Sequence, residues 1–250
     1  MKKYIIIVLA ITLIFTGTNT TKATFKIILN FDDGYQGIIN NAFPLMKKNN
    51  IPAVVFMPIN YIGTEKHLSL DNLKTLKNSN WEIGSHTINH PDLFKLTAEG
   101  LENEIANSQR YIKEKKLNSL NYISFCSPMT AWNKDISNTV SRYYNLARGD
   151  KLYLKNKTKI DRFEEIPAQI MVIIKNTNIE HIERKLKLAK KNDTPLILVF
   201  HEIKEGGNIY YYPPQKFKTI IEFLKESKED IITYKELYDL INNCSLQDKL

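Results

Sequence analysis

Cysteine is scarce. The 250 residues hold two, Cys126 and Cys244. Two cysteines cannot build the disulfide framework that small secreted domains rely on. We read both as free thiols, with a single bridge in an oxidising compartment as the alternative. No cysteine lies near the N-terminus, which excludes anchoring through a lipidated cysteine. Internal repeats and low-complexity linkers are absent, and so is any arginine-rich patch interleaved with aromatics. That last absence argues against nucleic acid as a partner. Histidine is rare too, five in all, so the places where it falls carry weight.

Lys2 and Lys3 precede an apolar run from Tyr4 to Ala10 that continues through Phe15, followed by a small polar stretch and Ala23. A charged start, an apolar middle and a small-residue boundary have the form of a signal peptide. The run is short for a membrane span. Cleavage is expected after Ala23, so that 1–23 is a signal peptide and 24–250 an exported mature chain, secreted or associated with the cell envelope. An uncleaved anchor, and membrane contact with it, is the alternative. Cleavage removes Lys2, Lys3 and Lys22 and no acid, so the formal charge falls from +8 to +5, and a mildly basic exported chain suits an anionic envelope or an acidic polymer. Lysines such as Lys185, Lys187, Lys190 and Lys191 are spread along helical segments and read as surface filler.

Short apolar runs recur at 25–31, 53–57, 81–84, 122–125, 144–147, 169–174, 196–200 and 230–234, most of them followed by a helical segment. Strands alternating with helices predict an α/β fold with a parallel sheet and helices outside it. The number of units in one chain of this length fits a closed or distorted (β/α) barrel better than two domains. The runs are nearly continuous in apolar character, as strands covered on both faces are. Barrel enzymes carry their chemistry at the C-terminal ends of strands, so reactive side chains should follow the runs directly.

They do. The first run ends in Asn30-Phe31-Asp32-Asp33-Gly34-Tyr35. Adjacent carboxylates repel unless a cation or hydrogen bonds offset them, and Gly34 permits a sharp turn. The plain alternative is a hairpin turn, weakened because a helix follows. The third run leads into Ser85-His86-Thr87-Ile88-Asn89-His90-Pro91. Two histidines four apart on one turn can chelate one metal; taken alone, two surface histidines fit as well. Pro91 disfavours a continuing helix at His90. His201 follows directly on the most apolar run, 196–200, and is a site residue or a satisfied core histidine. His67 and His181 read as surface residues. One carboxylate with two histidines makes a facial ligand set with open positions. Zinc is the default metal for it, with iron, cobalt and nickel open. One Asp and one His are left for proton transfer.

The order Phe31-Asp32-Asp33-Gly34, Ser85-His86-Thr87-Ile88-Asn89-His90 and Leu196-Ile197-Leu198-Val199-Phe200-His201 resembles the polysaccharide deacetylases with the NodB homology domain, carbohydrate esterase family four. The resemblance spans roughly 25–234. It implies a distorted (β/α) barrel in a single catalytic domain, 24–250. It implies Asp32 as general base, Asp33, His86 and His90 as metal ligands, and His201 as general acid. The substrates implied are N-acetylglucosamine polymers: peptidoglycan, chitin-like chains or exported polysaccharide. The family's Arg-x-Pro-Tyr motif is replaced by Cys126-Ser127-Pro128-Met129. The Met129 N–H could still serve an oxyanion. Arg148 is a candidate to stand in for the missing arginine, with a structural role as the alternative. Asp150 and Glu165 are candidate partners for His201. Trp132 and Tyr211, in the run Tyr210-Tyr211-Tyr212, are candidate sugar contacts, while Trp81 reads as core.

A metal-dependent deacetylase is therefore the leading expectation. A catalytically silent carbohydrate-binding relative and a small-molecule amidase or esterase are the alternatives. Retention of both acids and all three histidines argues against a silent relative.

Overall fold

The computed structural model describes residues 25–155 and 162–247, with side chains as far as Asn242. The expected signal segment, 1–23, and the Cys244 side chain lie outside what is described.

The strands are short and mostly fully buried: β1 Ile27–Phe31, β2 Val54–Met57, β3 Glu82–Ser85, β4 Ser124–Cys126, β5 Leu146–Arg148, β6 Leu152–Lys155, β7 Phe163–Ile166, β8 Gln169–Val172 and β9 Leu196–Phe200. They form one nine-stranded sheet in the order β7-β6-β5-β4-β3-β2-β1-β9-β8. Pairing is parallel from β5 through β1 to β8. The helices are α1 Phe43–Lys48, α2 Leu70–Lys77, α3 Ala98–Glu114, α4 Lys134–Tyr143, α5 Ile179–Asn192, α6 Pro214–Glu226 and α7 Tyr234–Gln247. Two further short strands, β10 Glu202–Ile203 and β11 Tyr211–Tyr212, pair beside the main sheet. The curled sheet is a half-barrel whose C-terminal strand ends form an upper rim and whose N-terminal ends form a lower one.

Side-chain alternation along each strand separates two apolar layers. Ile27, Leu29, Phe31, Val55, Met57, Phe125 and Ala147 face outward and pack with residues of α1 to α6. Ile28, Val54, Phe56, Cys126, Leu146 and Val199 face inward, where Tyr234 and Leu237 of α7 close the concave side. Gly84 belongs to this inner row. A Cβ there would lie 2.4 Å from the Phe56 ring, so the strand accepts Phe56 only with glycine opposite. Each fully buried Ile, Leu or Phe contributes about 1.5–3 kcal/mol, and these residues are the majority in both layers.

Local signals define the helix ends. Ser69 with Asn72 and Asn178 with His181 form capping boxes at α2 and α5. Thr97 and Asn133 cap α3 and α4. At α7 the Thr233 N–H donates to Glu236 Oε2 at 2.7 Å, while the Glu236 N–H donates to Thr233 Oγ1 at 3.2 Å.

The sheet is open, with β7 and β8 as its edges, the distorted rather than the closed form of barrel. The structure departs from the expected pattern in three places. The sheet is not parallel throughout, because β6 pairs antiparallel with both β5 and β7; β6 and β7 are four residues each and, apart from Leu152, partly exposed. The segment 230–234 is not a strand. Ile231 makes a single bridge to Ile27 and the chain turns at once into α7. The helix expected over 36–49 is split into a π-helical stretch, Ile38–Ala42, and α1, with Pro44 in the first turn of the latter.

Glu82 opens β3 at the lower rim. Its carboxylate accepts the Ser124 hydroxyl and, at 2.8 Å, the Lys235 N–H at the start of α7. Burial pushes its pKa from 4.5 up to about 7, against the opposing effect of those hydrogen bonds. The folded protein therefore holds this proton more tightly than the unfolded chain does. Its stabilising contribution is complete below about pH 4.5 and is lost as pH rises to about 7. Glu82→Gln lacks this titration. Thermal melts across that window are expected to show the variant gaining on the wild type as pH rises; a constant difference would contradict it.

Candidate active site

The alternation that puts Ile28 inside also puts Asn30 and Asp32 inside. On β5 the same parity turns Leu146 and Arg148 inward, and on β4 it turns Cys126. Four polar side chains thus converge at the upper end of an otherwise apolar interior. Arg148 Nη2 donates to Asp32 Oδ2 at 2.5 Å and to Cys126 Sγ at 2.8 Å. Asn30 Nδ2 donates to Asp32 Oδ1 at 2.7 Å, and the Tyr234 hydroxyl donates to Asn30 at 3.2 Å. Arg148 is 1% exposed and Asp32 5%. Burial pushes the Asp32 pKa up, but the Arg148 guanidinium, with His86 and His201, outweighs it and holds the carboxyl below its usual range. Burial pushes the Cys126 thiol well up, so it remains a thiol.

Asp33 breaks the alternation. Its φ of 66° and that of Gly34, 67°, turn the chain sharply at the rim, so consecutive carboxylates serve one site. Asp33 Oδ1 lies 3.5 Å from His86 Nε2 and 3.2 Å from His90 Nε2. His86 Nδ1 is 2.7 Å from the Cys126 carbonyl oxygen. That contact places the ring proton on Nδ1 and leaves the Nε2 lone pair facing Asp33, as a ligating histidine requires. His90 is not on a helical turn. Thr87 and His90 have φ of 70° and 56°, a conformation that side chains rarely adopt and that surrounding structure must hold. Glu104 of α3 holds it by accepting the N–H groups of Ile88 and Asn89, both at 2.9 Å, and the Asn89 side chain at 2.6 Å. Burial raises the Asp33 pKa, yet the two histidines outweigh it and keep the carboxyl far below its usual range. Burial lowers that of His90, and Asp33 more than restores it.

The donors fit one metal ion, and two overlapping sets exist among the described residues: Asp33 with His86 and His90, and Asp32 with His86 and Cys126. Charge separates them. In the second set both Asp32 oxygens are already engaged and a guanidinium stands against the acid and the thiol. A second cation there would face Arg148. The Asp33 set has no such competitor.

His201 enters from the end of β9. Burial lowers its pKa, with Asp32 and Asp33 opposing. Its Nδ1 is buried without a hydrogen-bond partner among the described residues, and its ring lies 4.8 Å from that of Tyr210. Neither acid expected to pair with it does so. Asp150 accepts the Tyr153 hydroxyl at 2.8 Å and Glu165 pairs with Lys151 at 2.7 Å, because the β5–β6–β7 ribbon carries both to exposed positions. Trp132 is half-buried and stacks on Tyr153, with centroids 4.5 Å apart. Met129 stands at the rim, 61% exposed, with φ of 51°. Trp81 is buried against Phe31 and Phe43.

His67, read from sequence as a surface residue, is not one. Its ring lies 4.9 Å from Tyr35 and 4.7 Å from Tyr61, and Tyr61 is 6.4 Å from His90. The loop that carries it pairs with the turn after Asp33 through Leu68 N–H to the Gly34 carbonyl, 2.8 Å, and Gln36 N–H to that of Lys66, 2.9 Å. Tyr211 meets Tyr35 edge-on at 6.2 Å. Glu104 is likewise legible only in space, whereas Asn30 carried a sequence signal that went unread, a polar residue within the first apolar run.

The polysaccharide deacetylase family profile matches residues 19–145. A poly-β-1,6-N-acetyl-D-glucosamine N-deacetylase of Staphylococcus aureus is 31% identical over 130 residues, 50% of this chain and 42% of that protein. The chain thus spans less than half of that relative's length. Two solved structures share the fold. The carbohydrate esterase domain of a xylanase from the hindgut metagenome of Trinervitermes trinervoides superposes with a TM-score of 0.59 at 18% identity, covering 86% of this chain and 90% of that one. A family 4 acetyl xylan esterase from Clostridium thermocellum, in complex with a cobalt ion, gives 0.56 at 17% identity, covering 87% and 91%.

Arg148→Met would leave Asp32 buried without its counter-charge, a change that costs about 3–5 kcal/mol. Asp32→Asn combined with Arg148→Met removes both charges and is expected to recover about half of that loss or more. Urea denaturation of the wild type and the two variants checks this. A loss below about 1 kcal/mol in the single variant, the range of exposed pairs, would contradict it.

Proposed function

The chain belongs to the polysaccharide deacetylase family, and we propose that it hydrolyses the N-acetyl groups of an N-acetylglucosamine polymer with the aid of a divalent metal. The observation that carries this reading is the meeting of Asp32, Asp33, His86, His90 and His201 at the ends of β1, β3 and β9. Asp33, His86 and His90 would hold the metal, with zinc as the default for a ligand set of one carboxylate and two imidazoles. When bound, such an ion supplies Lewis-acid activation of water and stabilisation of negative charge on the acetyl oxygen.

The chain's own groups supply the rest. Asp32, ionised and oriented by Arg148 and Asn30, takes the proton of the attacking water. Its two hydrogen bonds fix which oxygen lone pairs stay open, and the paired guanidinium keeps it unprotonated at neutral pH. His201 delivers a proton to the departing sugar nitrogen, without which an amide does not expel its amine. The Met129 N–H is the candidate oxyanion donor on the rim. Tyr35, Tyr61, Tyr210 and Tyr211 edge the mouth, where flat aromatic faces suit sugar rings. The products are acetate and a free amine on the polymer.

The relative named for poly-β-1,6-N-acetyl-D-glucosamine makes that linear polymer the first substrate to try. Export, with 1–23 as a signal peptide or an uncleaved anchor and 24–250 as the catalytic domain, belongs to the same proposal. A second reading, a silent carbohydrate-binding relative, draws on Cys126 and Met129 in the altered motif and on the unpartnered His201 Nδ1. The Arg148–Asp32 pair weighs against it, because it supplies from β5 what the altered motif lacks.

Acetate release separates the two. It is expected from poly-β-1,6-N-acetylglucosamine, to stop on chelation, to return with added zinc or cobalt, and to fall about 10²–10⁴-fold in Asp32→Asn. No release from this polymer, chitin oligomers or peptidoglycan under any of these metals would favour the binding reading.

A further inference from the structure

The connectivity sorts charge by face. Helices α1 to α4 each run from the upper end of one parallel strand to the lower end of the next. α5 does the same between β8 and β9, and α6 returns to Ile231, which bridges Ile27 in parallel. All of these helices end on the lower rim, opposite the active site. Each carries a basic residue in its last turn: Lys48, Lys77, Lys113, Arg142, Lys190 and Lys225. Scattered in sequence, they lie at one end of the fold, where Arg142 pairs with Glu102 and Lys190 with Glu229 while the other four have no acidic partner among the described residues.

That face has a shape as well as a charge. An open groove of about 810 Å³ runs across it, lined by Lys47, Lys77, Lys235, Asn50, Asn78 and Asn80. Two acids border the groove, and both are turned to partners: Glu82 to Ser124 and the Lys235 N–H, Glu236 to Thr233. Lys235 pairs with Asp239. Lys47, Lys77 and Lys225 have no acidic partner among the described residues. Lys225 Nζ instead donates to Asn49 at 2.6 Å, next in the chain to Asn50 of the groove. A cation at a helix C-terminus complements the helix dipole. The dipole does not account for a polar groove bordered by lysines that lack acids.

The chain enters on this same face. Phe25 N–H donates to Asp193 at 2.9 Å and Lys26 Nζ meets Asp230 at 2.5 Å, both beside the lower ends of the strands. In the uncleaved chain, the apolar run from Tyr4 to Phe15 leads into this entry. Lysines along an open polar groove, next to the attachment of an uncleaved apolar run, match the two phases of a bilayer. We propose that the lower face is a docking surface for an anionic phospholipid membrane. Docked this way, the protein turns its catalytic mouth away from the lipid, toward a polymer outside it. The proposal is independent of the deacetylase reading.

The test is partition of the full chain onto phosphatidylcholine vesicles with and without phosphatidylglycerol. The apolar run contributes to both, so the difference isolates the basic face. Stronger binding to the anionic vesicles is expected, weakening as salt is raised. Each lysine near a charged surface is worth roughly fivefold in binding. The triple variant Lys47→Gln, Lys77→Gln, Lys225→Gln is therefore expected to lose at least about tenfold on anionic vesicles and little on neutral ones. The corresponding triple Lys→Arg variant is expected to bind as the wild type does, which separates charge from folding. Equal binding to both vesicle types would overturn the proposal, as would an unchanged triple Gln variant or a wild type that binds soluble polyglycerol phosphate but not vesicles.

Discussion

The buried ion pair between Asp32 and Arg148 is the interaction on which the site depends. Neither charge could be buried alone, since an unpaired ion in an apolar interior costs several kcal/mol. Together they are nearly inaccessible and close the upper end of the apolar inner layer. Their pairing has a chemical consequence. With one oxygen on Arg148 and the other on Asn30, Asp32 is oriented and ionised, and both its oxygens are engaged. The proposed ligand role therefore goes to Asp33, one residue later, which the left-handed turn carries to the neighbouring side of the same cavity. In this proposal two adjacent carboxylates take different tasks from different surroundings.

The same division runs through the molecule. Alternation along the strands gives an outer layer for the helices and an inner layer for α7, and the inner parity delivers Asn30, Asp32, Cys126 and Arg148 to one point. Left-handed backbone shapes the site: Asp33, Thr87, His90 and Met129 all have positive φ, and the loop bearing His90 is held by Glu104 together with backbone bonds from Ile59 and Asn60. The lower rim carries the helix ends and their lysines, far from these groups.

Much of this was legible in the sequence. The acid pair, the histidine pair and His201 each follow an apolar run, and strand periodicity with helices between them sets the half-barrel. What was not legible has physical reasons. β6 and β7 are short and partly exposed: β7 is Phe163-Glu164-Glu165-Ile166, and the Leu152-Tyr153-Leu154 of β6 is too brief to stand out as an apolar run. Residues 230–234 have a strand's composition, yet they meet the sheet at one bridge and turn at once into α7. The surroundings of His67 and the role of Glu104 depend on contacts between segments distant in sequence. Arg148 was visible as a candidate because it follows an apolar run, but only the inner-face parity shared by β1 and β5 shows that it reaches Asp32. Asp150, two residues further on, misses the site because the chain turns there into an antiparallel ribbon.

The central claim is that Asp32 and Asp33 divide their roles, one paired with a guanidinium and the other with a metal. Anomalous diffraction from crystals of the zinc-loaded or cobalt-loaded protein tests it most directly. The expected result is one metal peak bonded by Asp33 and by Nε2 of His86 and His90, with Asp32 still paired to Arg148. A peak bonded by Asp32 or by Cys126, with Arg148 displaced, would contradict it.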